Sequence, residues 1–327
     1  MMKKKLFTLL FFIVIFIFAA SGCGQNEQNA DENEGKDKTE SKVDVFTTIF
    51  PLTDFTQKIG GDYVNVESIY PANADAHTYE PTLKMTEKIA KADLFIYTGE
   101  NFEAFGDKLN QTLKDGHVKI VKAAEGIKPL EAHEESEHSS KEEHAHEQEG
   151  HSHGNVDPHV WLDPIRAITI AENIKNALVE VLPDKRSVFE NNFAQLKTEL
   201  EQLDQTFQTT IQHSKTDVIL VSHAAYGYWE DRYQLKQIPI TGLSPTDEPS
   251  QKQLVGIIEK AKKYHLKYIL FEQNVSPKVA KVIQQEIGAQ TLTLHNLESV
   301  TKEEMRNNED YFSLMKRNLE TLKKALN

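Results

Sequence analysis

Short apolar segments alternate with helical patterns along most of this chain. In the first half the pattern predicts strands at residues 43–50, 63–70, 93–98 and 118–121, with helices at 83–92 and 102–113. In the second half it predicts strands at 217–222, 237–241, 266–271 and 291–294, with helices at 249–264, 276–287 and 303–326. Alternation of this kind is typical of parallel sheets joined by crossover helices. We therefore predict an α/β fold with two lobes, each built on a parallel-type sheet flanked by helices.

A long helical pattern separates the two halves. Its apolar residues recur every three or four positions: Phe189, Phe193, Leu196, Leu200, Leu203, Phe207 and Ile211. This spacing places one apolar stripe along a helix of about 28 residues, which would be about 42 Å long. Pro183 and Asp184 mark its start. Such a helix can join two lobes as a rigid strut or belong to one lobe alone, and we predict the strut.

The chain is long enough to bury two separate cores. After a polar segment that ends near residue 42, about 285 residues remain. We predict an N-terminal lobe at 43–182, a linking helix at 183–214 and a C-terminal lobe at 215–327. The N-terminal lobe includes a low-complexity loop at 131–154 that is rich in acidic residues and histidine.

The first residues predict secretion and lipid attachment. Three lysines precede an apolar stretch at 6–20, which is short for a bilayer span, and the run Ala-Ser-Gly-Cys then ends at Cys23. Small residues before a cysteine fit the signal at which the thiol is acylated, although Ala20 stands where an aliphatic residue is usual. We predict a signal peptide at 1–22, lipidation of Cys23 and a polar tether at 23–42. The lipid on Cys23 would anchor the protein to the outer face of the cell membrane. The alternative is an ordinary signal peptide with a chance cysteine.

The single cysteine and the negative charge narrow the classes of ligand. Cys23 is the only cysteine in the sequence, so the chain can form neither an internal disulfide nor a cysteine-based zinc site. Any metal must therefore be bound by His, Asp or Glu. The formal net charge of −13 argues against nucleic acid as a partner.

The predicted loop carries an unusual density of histidine. Six of the thirteen histidines fall within it: His133, His138, His144, His146, His151 and His153. Imidazole is the commonest side-chain metal ligand at neutral pH, and His-rich tracts are typical of metal binding. We predict that these residues capture metal loosely as an auxiliary site. The alternative is a solvated acidic loop that has no role at a main site.

Three further histidines and a glutamate lie in short runs that follow predicted strands or precede a helix. His77 lies in Asp-Ala-His-Thr-Tyr-Glu-Pro, His159 in Asp-Pro-His-Val-Trp-Leu-Asp-Pro and His223 in Val-Ser-His-Ala-Ala-Tyr. A fourth run, Leu-His-Asn-Leu-Glu-Ser, contains Glu298. Ligands of open α/β sheets bind at the carboxyl ends of the strands, which all four runs can reach. Three imidazoles and a carboxylate can hold a metal tetrahedrally, although His77 or His223 alone would more often be a structural loop histidine.

These motifs occur in an order that resembles one protein family. From Cys23 to its C-terminus, the chain is similar to the metal-binding solute-binding lipoproteins of ABC importers, in the zinc branch (ZnuA/AdcA-type). The resemblance implies two α/β lobes joined by a rigid helix, with a metal buried between the lobes. The metal ligands that it implies are His77, His159, His223 and Glu298. Glu272 or water is the alternative fourth ligand.

The resemblance also implies a function. It implies a protein that captures Zn²⁺ and delivers it to the membrane permease of an ABC transporter, which a cytoplasmic ATPase drives. Three histidines favour zinc because imidazole suits this metal, whereas manganese prefers oxygen ligands. We expect a monomer without catalytic residues or enzymatic activity. Open alternatives are a manganese or other divalent-metal binder of the same family, a surface adhesin, and a zinc-dependent hydrolase, which the absence of an HExxH motif disfavours.

Overall fold

A computed structural model describes residues 42–99, 102–131, 156–273 and 278–327. The predicted signal peptide, the tether up to residue 41 and the lipidation site Cys23 lie outside the described residues. The same holds for the histidines of the predicted auxiliary site, His133, His138, His144, His146, His151 and His153. Within the described ranges, no helix has the length and apolar character that crossing a membrane requires.

The described residues form ten strands and ten α-helices. The strands are β1 Val43–Thr47, β2 Val64–Ser68, β3 Leu94–Tyr97, β4 Lys119–Lys122, β5 Leu130–Glu131, β6 Val156–Asp157, β7 Val218–Val221, β8 Lys236–Pro239, β9 Tyr268–Phe271 and β10 Gln290–Thr293. The helices are α1 Phe50–Gly60, α2 Leu83–Ile89, α3 Ala104–Leu113, α4 Pro164–Val181, α5 Arg186–Gln212, α6 Gly227–Tyr233, α7 Gln251–Lys263, α8 Lys278–Ile287, α9 Lys302–Arg306 and α10 Tyr311–Ala325. Of these, α1, α4 and α6 are additional to the predicted helices.

Two parallel sheets organise the two lobes. The first sheet has the strand order β2-β1-β3-β4, and the second has the order β10-β9-β7-β8. Every neighbouring pair in both sheets is parallel. The predicted α/β class with two parallel sheets flanked by helices is therefore confirmed. In both sheets the carboxyl ends of the strands lie along one edge, where ligands of open α/β sheets bind.

The apolar character of the central strand β7 follows from its burial on both faces. In β7, Ile219 and Val221 belong to the main hydrophobic core, whereas Val218 and Leu220 belong to a second cluster beneath α7 and α8. Successive side chains of a strand point to opposite faces of its sheet. A strand that is covered on both faces therefore reads as a continuous apolar run rather than as an alternating one.

The predicted long helix between the lobes is confirmed as α5, which begins at Arg186 after a 3₁₀ turn at Pro183–Lys185. Its 27 residues give a length of about 40 Å. The predicted stripe is buried at Phe189, Leu196, Leu200, Leu203, Phe207 and Ile211, and Phe193 is half-buried. This helix packs on α1 and α4 of the first half and on α6 and α10 of the second half.

One hydrophobic core runs through both lobes. It includes Val45 and Phe95 of the first sheet, Leu200 of α5, and Val221 and Leu270 of the second sheet. The two lobes therefore share one core rather than each burying its own, and a second cluster lies beneath α7 and α8. The reason is that the buried stripe of α5, together with apolar residues of α4 and α10, connects the two sheets.

The first predicted strand is shorter than the sequence pattern indicated. The strand β1 ends at Thr47, and α1 begins at Phe50 with Pro51 in its first turn. Proline suits a first helical turn because its φ is already helical and its missing N–H needs no partner there. The apolar run at 43–50 therefore contains both the strand and the start of a helix.

The predicted C-terminal helix is divided into α9 and α10. Asn308 lies between them with a φ of 52°, a left-handed conformation that ends a helix. Asp310 then caps α10, because its Oδ1 accepts a 2.7 Å hydrogen bond from the Ser313 N–H. Apolar spacing alone did not show this break, which local polar side chains produce.

Shortening one core side chain of α5 tests this packing. The side chain of Leu200 is fully buried, so Leu200→Ala should lower the free energy of unfolding by about 2–5 kcal/mol. Gln208→Ala, at an exposed position of the same helix, is the control and should change it by less than about 0.5 kcal/mol. Denaturant unfolding followed by circular dichroism measures both. Equal losses at the two positions would contradict the buried stripe.

Candidate metal centre

Three histidines and one glutamate meet between the lobes. His77 follows β2, His159 precedes α4, His223 follows β7, and Glu298 follows β10. Each offers one ligand atom, and these four atoms all lie within 4.8 Å of one another. His159 and His223 are fully buried, and the side chains of Glu298 and His77 are 5% and 9% exposed. The fold thus brings together all four residues that the family resemblance implied as a ligand set.

The spacing of these atoms suits a small divalent cation. Glu298 Oε1 lies 3.1 Å from His77 Nε2, 3.3 Å from His159 Nε2 and 3.9 Å from His223 Nε2. The Nε2 atoms of His159 and His223 are 3.2 Å apart. A tetrahedron with bonds of about 2.0–2.2 Å has edges of about 3.3–3.6 Å. Three of these four spacings therefore lie within about 0.2 Å of this range, and the fourth is wider.

A turn of the backbone orients His77. Asp75 Oδ1 accepts a 2.9 Å hydrogen bond from the His77 N–H, and the Asp75 carbonyl accepts one from the Tyr79 N–H. Aspartate favours such turns because its short side chain reaches the backbone two residues on. The Phe102 ring meets the His77 ring edge-on, with centroids 5.0 Å apart. These contacts present Nε2 of His77 to the other ligands.

Two Asp-Pro pairs set the position of His159. Asp157 Oδ1 accepts hydrogen bonds from the His159 N–H at 2.9 Å and from its Nδ1 at 2.8 Å. Asp163 caps α4 by accepting from the Ile165 N–H, and Pro164 occupies the first helical position. A histidine that donates from Nδ1 to a carboxylate has Nε2 available to a metal, a common arrangement in metal sites.

Neighbouring groups stabilise the charged forms of His159 and Glu298 in this buried centre. Burial disfavours the charged form of His159, but hydrogen bonds to Asp157 and Glu298 outweigh burial and raise the pKa of His159 to about 9. Burial likewise opposes ionisation of Glu298, but attraction to His77 and hydrogen bonds from His159 and His77 hold its pKa well below the ordinary value. In the metal-free protein at neutral pH, Glu298 is therefore an anion and His159 carries a proton.

Glu272, the alternative fourth ligand, lies on the other side of the His223 ring. Its Oε1 is 2.6 Å from His223 Nδ1, a close contact that does not have the geometry of a hydrogen bond. The same carboxylate accepts hydrogen bonds from Ser222 Oγ at 3.2 Å and from Asn296 Nδ2 at 3.2 Å. Glu272 thus contacts Nδ1 of His223, as Asp157 contacts Nδ1 of His159, and in both rings Nε2 faces the other ligands.

The roles of the residues that contact the ligands from outside were not predicted, and Glu272 was expected only as an alternative fourth ligand. Asp157 could have been found, because an aspartate two residues before a histidine often accepts its backbone N–H. Glu272 and Phe102 carry no such local signal, since they reach the centre from distant segments. Trp161 also belongs to this group, because its Nε1 donates a 2.8 Å hydrogen bond to the Asn296 carbonyl beside Glu298.

Comparison with protein families gives one match over nearly the whole described chain. Residues 45–325 match the family model ZnuA, described as the periplasmic component A of a zinc-uptake complex. The chain is 38% identical over 324 residues to the zinc-binding lipoprotein AdcA of Streptococcus pneumoniae strain R6, covering 99% of this chain and 61% of AdcA. It is 36% identical over 317 residues to the high-affinity zinc uptake system protein ZnuA of Bacillus subtilis strain 168, covering 97% of both.

A solved structure extends the comparison to the fold. The Zn(II)-bound ZnuA-like domain of Streptococcus pneumoniae AdcA superposes with a TM-score of 0.73 at 36% identity, covering 88% of this chain and 99% of that domain. The chain is therefore similar in fold to this domain over nearly the whole length of the domain. It spans 61% of the length of the AdcA protein that it matches.

The protonation of His159 can be measured directly. In the metal-free protein the ring should titrate with a pKa of about 9, because Asp157 and Glu298 stabilise its charged form. Asp157→Asn should lower this value. Since the folded-state pKa lies above the reference of about 6.5, the charged ring stabilises the folded protein below pH 6.5, and this contribution is lost as the pH rises through 9. NMR titration of ring-labelled histidine tests this; a pKa near 6.5 in both proteins would contradict the compensation described above.

Proposed function

Because the chain belongs to the ZnuA family of zinc-uptake components, we propose that it is a high-affinity extracytoplasmic zinc-binding protein. It captures Zn²⁺ outside the cytoplasm and delivers the ion to the permease of an ABC transporter, which a cytoplasmic ATPase drives. The observation that carries this proposal is the buried cluster of three imidazole nitrogens and one carboxylate oxygen within 4.8 Å.

The donor set favours zinc over manganese. We propose that His77, His159 and His223 bind the ion through Nε2 and that Glu298 is the fourth ligand. Three nitrogen donors and one oxygen donor suit tetrahedral Zn²⁺, whereas Mn²⁺ favours more oxygen ligands and a higher coordination number. The name of the AdcA relative, a zinc-binding lipoprotein, supports the same metal.

The arrangement also favours transport over hydrolysis. A catalytic zinc ion keeps one coordination position for water or substrate. Here four protein ligands would fill a tetrahedron, and the two central histidines are fully buried. The matching family is that of a transport component rather than of an enzyme. We therefore propose a non-enzymatic role in which Zn²⁺ is cargo.

The placement of the ligands suggests how the cargo is held and released. His77 and His159 come from the first half of the chain, and His223 and Glu298 come from the second half. Separating the lobes by a small amount would therefore break a four-coordinate site into two pairs. We propose a division into lobes at 43–182 and 215–327 joined through 183–214, with release triggered when the permease moves one lobe or one ligand loop.

We further propose that the mature protein is a monomer held at the membrane through lipidated Cys23 and the tether at 23–42, with no nucleic acid as partner. The lipoprotein name of the AdcA relative supports the anchor. The auxiliary histidines belong to the segment between β5 and β6, where Leu130 pairs with Asp157. Because Asp157 lies two residues from His159, the two ends of this segment lie close to the buried centre, which favours a role in loose zinc capture.

A competition titration tests the zinc site. The soluble chain from Gly24 should bind one tight Zn²⁺ that Mn²⁺ does not displace, as measured with a chromophoric chelator. His159→Ala should weaken binding by at least about 100-fold, because outer contacts alone are typically worth 10–100-fold. His117→Ala, which removes a histidine whose side chain is 73% exposed, is the matched control. Manganese preference, or equal losses in the two variants, would contradict the proposal.

Deleting residues 133–153 tests the role of the auxiliary histidines. The tight equivalent should keep its affinity within about threefold, because none of its four ligands lies in the deleted segment. Weaker additional equivalents should disappear. Isothermal titration calorimetry of the full-length and shortened chains separates the tight site from the weaker sites. Loss of the tight equivalent on deletion would show that the segment supplies essential ligands.

A further inference from the structure

The loop that carries Glu298 is held in a conformation that its sequence does not favour. This loop lies between β10 and α9, and Leu297 within it has a φ of 63°. Leucine rarely adopts the left-handed region, because its Cβ approaches the following carbonyl oxygen too closely. Leu297 is also fully buried. Such a residue persists only where its surroundings impose the conformation.

The His295 ring supplies the contact that holds Leu297. Its Nδ1 lies 2.8 Å from the backbone nitrogen of Leu297. A backbone N–H can only donate, so Nδ1 must be the acceptor and the ring proton must lie on Nε2. His295 is 4% exposed and stands outside the group of four candidate ligands. It therefore binds the backbone one residue before Glu298.

The ring of His295 is itself fixed from behind. Its Nε2 lies 3.4 Å from Glu304 Oε2. Glu304 is buried, and its carboxylate also accepts hydrogen bonds from Gln273, from Arg317, and from the backbone and hydroxyl of Thr301. With so many donors the carboxylate is ionised and immobile. It can accept only from an Nε2–H, which agrees with the tautomer that Leu297 requires.

The backbone of His295 is held as firmly as its ring. Asn318 of α10 accepts the His295 N–H at 2.7 Å and donates to its carbonyl at 2.8 Å. On the other side of Leu297, the Glu298 carbonyl accepts a 3.0 Å hydrogen bond from the Phe50 N–H. Hydrogen bonds on both sides of Leu297, to the His295 backbone and to the Glu298 carbonyl, thus hold its left-handed conformation. The direction in which the Glu298 carboxylate leaves the loop depends on this conformation.

We propose that His295 is a positioning residue for the metal centre. By accepting the Leu297 N–H it holds the left-handed turn that aims Glu298 at His77 and His159. The inference rests on the proposed function, because it assigns His295 a role in zinc affinity that acts through Glu298.

Two substitutions of similar size separate the two contacts of the ring. In His295→Asn the side-chain oxygen stands near the place of Nδ1 and can accept the Leu297 N–H. In His295→Gln the side-chain nitrogen stands near the place of Nε2 and can donate to Glu304, but no acceptor faces Leu297. His295→Gln should weaken zinc binding about 10–100-fold. His295→Asn should recover most of that loss.

The same pair in a Glu298→Ala background shows whether His295 acts through Glu298. There His295→Gln should change zinc affinity by less than about threefold, because no carboxylate remains to be aimed. The visible absorption of the Co²⁺-loaded proteins gives a second readout, since it reports coordination number. His295→Gln should resemble Glu298→Ala in this spectrum, and His295→Asn should resemble the unsubstituted protein.

The outcomes distinguish this inference from the proposed function. If the unsubstituted chain binds no tight zinc, the proposed function fails. Suppose instead that it binds zinc. If His295→Gln and His295→Asn then have the same zinc affinity, or if His295→Gln still lowers zinc affinity without Glu298, only the positioning role is overturned. Should His295→Gln fail to fold, Glu304→Gln takes its place: removing the charge that holds Nε2 should lower affinity with Glu298 present and leave it unchanged without Glu298.

Discussion

The candidate metal centre depends on the burial of the Glu298 carboxylate among three imidazole rings. A buried anion is unfavourable unless opposite charge and hydrogen bonds compensate it. In the metal-free protein the proton on His159 provides part of that compensation, because Asp157 and Glu298 both stabilise it. A divalent cation at the same place would supply more charge to the same donors and would displace the proton. The centre is therefore arranged for a cation, and the carboxylates behind the histidines orient the rings toward it.

Contacts between the lobes keep this arrangement in place. The Phe50 N–H donates to the Glu298 carbonyl, and Trp161 Nε1 donates to the Asn296 carbonyl. The Tyr311 hydroxyl of α10 in turn donates to the Trp161 carbonyl at 2.7 Å. One hydrophobic core continues through both sheets and includes the buried stripe of α5. Large lobe rotation would expose this core, so the release that we propose would require only small movements of the ligand loops.

Much of the centre could be predicted because its residues lie in short runs that have strong local constraints and that resemble the motifs of one family. His159 lies between two Asp-Pro pairs that fix the backbone on either side, and His223 follows a strand whose apolar character was plain. Each of these features acts over a few residues, which is the range that sequence patterns describe. The contact of Glu272 with the His223 ring could not be found in this way, because it joins residues 49 positions apart in the chain. The same is true of the contact between Trp161 and the Glu298 loop.

By itself, the sequence determined the α/β class, the long helix and the residue types that can bind a metal. These follow from the period of apolar residues and from the chemistry of side chains, both of which are local properties. Only the tertiary structure decided that a single core unites the lobes and that the C-terminal helical pattern is divided at Asn308. It also decided which carboxylates stand behind the histidines and how His295 holds Leu297 in a left-handed turn. Such features depend on which distant groups meet in space, and on the requirement that buried polar groups find partners there.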